Sequence, residues 1–79
     1  MKKLQKAYVL INSITGLEEV VFEELKGLSF VKEVYKVYGV YDIALKIEQV
    51  ANIDLKESIA NNIRNIEGVG STLTMMVIN

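Results

Sequence analysis

The sequence predicts an α+β fold in which strands and helices follow the order β-α-β-β-α-β. Three observations carry that prediction. Two helical stripes, Leu17, Val21, Leu25, Leu28 and Leu55, Ile59, Ile63, Ile66, each lie between strand-like stretches. Each stripe is preceded by a helix-start signal, Thr15 with Glu18 and Asp54 with Glu57. The halves also share a weak likeness, which a split β-α-β and helix-to-strand packing alone both explain: residues 25–35 align without a gap on residues 63–73, so that Leu25 matches Ile63, Lys26 matches Arg64, Leu28 matches Ile66 and Val31 matches Val69. A ferredoxin-like domain accounts for all three, with a four-stranded antiparallel sheet and two helices on one face.

Residues 7–12 read as the first strand, apolar on both faces (Ala7, Val9, Ile11 against Tyr8, Leu10). Such a strand is usually central and covered twice. The first helix follows the Thr15–Glu18 signal. Its acids gather in the first turns, where the helix dipole favours them, and Gly27 marks its exit. Residues 31–38 form the second strand, and Gly39 and Val40 the turn. Residues 42–48 alternate, with Ile43, Leu45 and Ile47 on one side and Asp42, Ala44, Lys46 and Glu48 on the other. A loop over 49–52 leads to the second helix, which Gly68 and Gly70 end. Residues 71–78 are the last strand, again apolar on both faces.

Two helices cover only one face of such a sheet. Large apolar groups of the first and last strands are left on the other face, and an uncovered patch of that kind calls for a partner. The economical partner is a second copy, so the sheet is expected to dimerise face to face.

At 79 residues the chain is read as one domain, 1–79, with a small core of its own. It has no Cys and no His. Disulfides, thiolate metal sites and the commonest general base are therefore excluded, and neither cofactor nor metal is expected. Nine basic and ten acidic residues leave a net charge of −1, without a footprint for nucleic acid. The lysines at 2, 3 and 6 are read as solvation. No apolar run approaches a membrane span, and no secretory signal is evident, so the expected location is the cytoplasm. The paired acids Glu18–Glu19 and Glu23–Glu24 read as a solvated helix face, and no phosphate-binding loop is present. Tyr8 is the only aromatic of the first strand and the third has none beyond Tyr41 at its start, a poor fit to a single-stranded RNA binder, which stacks bases on aromatics of its central strands.

Polar groups gather instead at strand ends: Asn12, Ser13 and Thr15; Gly39, Tyr41 and Asp42; Gly70, Ser71, Thr72 and Thr74. They supply backbone N–H groups, hydroxyls and one carboxylate. That set suits a zwitterion, whose carboxylate takes N–H and O–H donors and whose ammonium takes the Asp.

At these residues the sequence resembles the effector-binding (RAM) domain of the Lrp/AsnC transcription regulators. The hairpin VYGVYD matches the pattern V-x-G-x-Y-D, and IRNIEGVGSTLT matches I-x-x-I-x-G-V-x-x-T-x-T. The resemblance covers residues 7–78. It implies a non-enzymatic domain that pairs through its sheets and assembles further into a ring of four dimers. It implies an amino acid or similar effector bound between dimers, by Gly39, Tyr41, Asp42, Ser71, Thr72 and Thr74. Asp42 is the first candidate for the ligand's ammonium. The family's regulators carry an N-terminal helix-turn-helix, for which MKKLQK is too short, so the chain resembles the stand-alone form. Such a form would sense an amino acid, join a full-length regulator, or act on an enzyme by contact, without binding DNA or membrane itself. Three other readings stay open. One is an ACT-type regulatory domain. Another is a small dimeric α/β-barrel oxygenase or isomerase with Tyr8, Tyr35, Tyr38 and Asp42 around a cavity. The third is an assembly module without a ligand.

Overall fold

The computed structural model describes residues 4–50 and 54–78. Four strands, β1 (Leu4–Ser13), β2 (Val31–Lys36), β3 (Ile43–Val50) and β4 (Val69–Met76), form one sheet in the order β2-β3-β1-β4. All neighbours are antiparallel. Helix α1 (Glu18–Lys26) connects β1 to β2. A shorter helix, α2 (Leu55–Ser58), runs into a π-helical turn over Ile59–Ile63 and precedes β4. This is the ferredoxin-like arrangement, with the two long central strands flanked by one strand from each half.

The pleat sorts the two-sided strands. Ala7, Val9 and Ile11 pair across the sheet with Ile47, Leu45 and Ile43, and all six are buried. They meet Val21 and Leu25 of α1, and Leu55, Ile59 and Ile63 of the second helical segment, in one core. Each fully buried Leu or Ile is worth roughly 1.5–3 kcal/mol, so this layer is what holds the helices to the sheet. The same alternation sends Tyr8 and Leu10 to the opposite face. On β4 it places Thr72, Thr74 and Met76 on the helix side, opposite Ile11, Val9 and Ala7, and Leu73 and Met75 on the open side.

Several boundaries differ from the sequence reading. β1 begins at Leu4 rather than residue 7, because Gln5 and Lys6 pair with Gln49 and Glu48. β2 stops at Lys36, so the hairpin is the whole of 37–42 rather than a tight turn at Gly39 and Val40. It is closed by the Val37 N–H donating to the Asp42 carbonyl at 2.8 Å. β4 starts at Val69, which puts Gly70 inside the strand. A Cβ at Gly70 would stand 3.0 Å from the Asn12 carbonyl, so the glycine permits the close approach beside the β1 register shift. The expected capping box at Thr15 does not form. Leu17 occupies the cap position without a side-chain bond, and Glu18 reaches back to the Gly16 N–H at 3.0 Å. Asp54 does cap its helix, accepting the Lys56 N–H at 3.0 Å. The lysines at 2 and 3, and residues 51–52 of the second loop, lie outside the described residues.

The internal repeat is real in three dimensions. In the first half Leu28 donates to Leu25 and Val31 donates to Leu28, at 3.2 and 3.1 Å. In the second half Ile66 donates to Ile63 and Val69 donates to Ile66, at 3.1 and 3.2 Å. The same backbone turn thus leads each helix into its edge strand.

Candidate ligand site

The end of the sheet that carries the C-terminus of β1 gathers the polar residues. β1 is central, so its last residues lie between the start of β3 and the start of β4. Asp42 binds both ways. Its N–H donates to the Ile11 carbonyl at 2.9 Å, and its Oδ2 accepts the Ser13 N–H at 2.9 Å and the Ser13 hydroxyl at 3.2 Å. A carboxylate accepting two donors on one oxygen is fixed in orientation. Among the described residues its Oδ1 has no partner, which leaves that oxygen for a cation such as an ammonium. On the other side Asn12 Nδ2 donates to Ser71 Oγ at 3.2 Å. Asp42, Ser13, Asn12 and Ser71 therefore form one connected row. The sequence placed Asp42 and Ser71 in the site. Asn12 and Ser13, which join them, were visible only as polar residues after the first strand.

The other expected site residues are elsewhere. Gly39 is exposed at the hairpin tip, with open space around its Cβ position, between Tyr38 and Val40, which are both exposed. Tyr41 is half-buried. Thr72 and Thr74 face the helix side, whereas Ser71 bonds to Asn12 on the open side. One chain does not unite the six residues in a single pocket. They fall into the hairpin tip, the sheet end and the helix-side face of β4.

That third location borders a cleft of about 380 Å³ between the second helix and the edge strand. Thr74 and Met76 form its strand wall, and Lys56, Ile59, Ala60 and Arg64 its helix wall. Thr74 Oγ1 is buried and without a hydrogen-bond partner among the described residues. In the sequence Ile59 stood out only as part of the apolar stripe, and Lys56, Ala60 and Arg64 were not singled out as site residues, since they lie off that stripe.

The open face of the sheet is organised in cross-strand rows. Tyr35, Ala44, Leu10 and Leu73 make one apolar row, and Glu33, Lys46, Tyr8 and Met75 make the next. Tyr8, Tyr35, Leu73 and Met75 remain 46, 54, 44 and 47% exposed. Lys46 lies 3.7 Å from Glu33 and 3.8 Å from Glu48, confining charge to the β2–β3 side. The Tyr35 hydroxyl donates to Glu33, and that bond, with the carboxylate's charge, holds the phenol above its usual pKa. Among the described residues no group of His, Cys, Asp or Glu is arranged to hold a metal, and no helix is long and apolar enough to cross a membrane.

Fold and site together describe a small ferredoxin-like domain with polar groups gathered at one end of its sheet. The comparisons narrow that class. The profile of the Lrp/AsnC ligand binding domain matches residues 6–79. The chain belongs to that family. FFRP-DM1 is 36% identical with a TM-score of 0.88, over 94% of this chain and 99% of its own. The hypothetical protein PHS023 of Pyrococcus horikoshii is 35% identical with a TM-score of 0.86, over 98% of this chain and 92% of its own. A transcriptional regulator of Neisseria meningitidis, solved as a complex with L-Met, shares the fold at 12% identity and a TM-score of 0.79, over 95% of this chain but 50% of its own. Comparison with curated proteins gives no match. The chain thus has the extent of the first two relatives and of half the third. Its described helices lie on one face of the sheet, and no helix-turn-helix pair occurs among the described residues.

Proposed function

We propose that this single domain, spanning residues 1–79, is a cytoplasmic amino-acid sensor that works through its own assembly. The observation that carries the reading is the family match across residues 6–79, on a fold whose open sheet face presents an apolar row. Two copies pack these faces together, which buries Leu10, Leu73, Met75 and Tyr8 against their counterparts. Dimers then join into a ring of four, using the exposed hairpin tips. The effector sits where copies meet. Gly39, Tyr41, Asp42, Ser71, Thr72 and Thr74 are spread over three places in one chain, and a second copy brings such separated groups together. Asp42, oriented by Ser13, takes the ammonium. The hydroxyls and the hairpin backbone take the carboxylate or line the side-chain pocket. The L-Met complex of the distant Neisseria regulator supports an amino acid as the ligand class. A full-length regulator of the same family is the natural receiver of the signal, through a mixed assembly, and this chain makes no direct contact with DNA. An effector shifts such an assembly only by binding one state more tightly than the other.

Sedimentation velocity with and without a mixture of amino acids tests this reading. The expected result is a dimer or larger species whose distribution moves with one amino acid, and an Asp42→Ala variant that assembles but no longer responds. A protein that stays monomeric, or an oligomer indifferent to every amino acid, would sink it.

A further inference from the structure

The cleft beside β4 has a counterpart in the first half of the molecule, and the counterpart is filled. Extending the internal alignment in both directions sets Phe22 against Ala60, Glu23 against Asn61 and Lys36 against Thr74, beside the pair Lys26 and Arg64 already matched. In the first half Phe22 packs against the core. The ammonium groups of Lys26 and Lys36 lie 5.5 and 4.9 Å from its ring centroid. Both cations are also paired, Lys26 with Glu23 at 3.6 Å and Lys36 with Glu19. In the second half the ring is replaced by a methyl group and the Glu23 carboxylate by an amide. What remains is an open cleft whose two cations, Lys56 and Arg64, make no ion pair among the described residues. The Thr74 hydroxyl in its strand wall is unpaired as well. Two residues of the helix wall, Ile59 and Ala60, belong to the π-helical turn, a feature often found at functional sites.

From this we infer that the cleft lined by Lys56, Ile59, Ala60, Arg64, Thr74 and Met76 binds a small aliphatic carboxylate. The inference rests on the reading of the chain as a small-molecule sensor, and it makes this cleft a carboxylate site separate from the one around Asp42, with Thr74 serving the cleft. A guanidinium matches a carboxylate in two parallel hydrogen bonds, and Lys56 adds a second cation. The Thr74 hydroxyl donates to a ligand oxygen. Ile59, Ala60 and Met76 take the hydrocarbon. A cleft of about 380 Å³ is at the small end of ligand sites, which suits a molecule of the size of a branched-chain acid. No acidic side chain lines it, so it offers nothing to an ammonium. The carboxylate and the apolar tail are therefore recognised here, and the amino group is not.

Methyl-group NMR of the assembled protein tests this, with three probes: leucine, 4-methylpentanoate (leucine without its amino group) and 3-methylbutylamine (leucine without its carboxyl group). The expected result is a saturable shift of the Ile59 and Met76 methyl signals with both carboxylates and none with the amine. Arg64→Gln, at an exposed position, weakens binding about tenfold or more, and Thr74→Val weakens it several-fold. Equal response to the amine, no response to either acid, or indifference to Arg64→Gln overturns the inference. So do Ile59 and Met76 signals that move only on dilution of the protein, which would seat a second copy in the cleft. If amino acids shift the sedimentation profile while Ile59 and Met76 stay still, this inference falls and the sensor reading stands. If 4-methylpentanoate fills the cleft while assembly never responds, the inference stands and the sensor reading falls.

Discussion

The two halves of this domain are built on one plan and finished differently. Leu17, Val21, Leu25 and Leu28 hold the first helix down, and Leu55, Ile59, Ile63 and Ile66 do the same for the second. Yet α1 is a regular nine-residue helix, whereas α2 lasts four residues before the π turn takes over. Just before each edge strand the first half has Phe30, a buried ring, and the second has Gly68, a buried glycine. On the solvent side of each helix the first half has Phe22, its cations and their acids, and the second has an open cleft with cations unpaired. The lesson is that a repeated framework stabilises both halves, while single substitutions within it decide which half is closed and which is free to bind.

The largest effects come from exchanging the residues that precede the edge strands. Phe30→Ala is expected to cost about 3 kcal/mol, the typical loss when a buried ring leaves a core. Gly68→Ala is expected to cost about 2 kcal/mol. Its φ is +102°, and a Cβ there would stand 2.8 Å from Val21 Cγ2 and 3.0 Å from Leu17 Cβ. Urea unfolding at one fixed protein concentration measures both, since assembly contributes to apparent stability. If Gly68→Ala were harmless, the two positions would not be the opposed solutions described here.

The groove residues come next. Phe22→Ala removes a half-buried ring and the platform for Lys26 and Lys36, and should lower stability by about 1–2 kcal/mol. The reverse change, Ala60→Phe, rebuilds the filled half in the second position. It should leave stability within about 1 kcal/mol of the parent, because the ring enters space that is already open. A pair of equal and large losses would show that the cleft is tightly packed rather than vacant.

The smallest contrast lies at the helix starts. Asp54→Ala removes a side-chain cap and should cost about 1 kcal/mol. Thr15→Ala, where the expected cap is not made, should cost no more than a few tenths. Equal losses at both would restore the capping box that the structure lacks.

Much of this was legible beforehand. The helical stripes, the Asp54 cap, the hairpin and the internal repeat are local patterns, and local geometry is enough to form them. The failures are instructive. Thr15 and Glu18 have the spacing of a capping box, but Gly16, at a φ of +92°, turns the chain before the helix begins, and Glu18 closes that turn instead. The polar residues at the strand ends, Asp42 and Ser71 among them, were legible by residue type, and the resemblance carried those two into the expected site. Their linkage through Ser13 and Asn12 joins residues far apart in sequence. The helix wall of the cleft was invisible because a vacancy has no signature. Ala60 marks a site only when it is seen opposite Phe22.

By itself, then, the sequence determined the order of elements, the apolar stripe of each helix and the residue chemistry available at the strand ends. Those depend on periodicity and on groups a few positions apart. Only the tertiary structure decided which face of each two-sided strand is buried. Val9 and Tyr8 are both apolar enough to lie inside, and only packing against the helices chose Val9. It also decided that Arg64 and Lys56 border an unfilled cleft while Lys26 and Lys36 do not, because a side chain's partners are set by what stands across the groove.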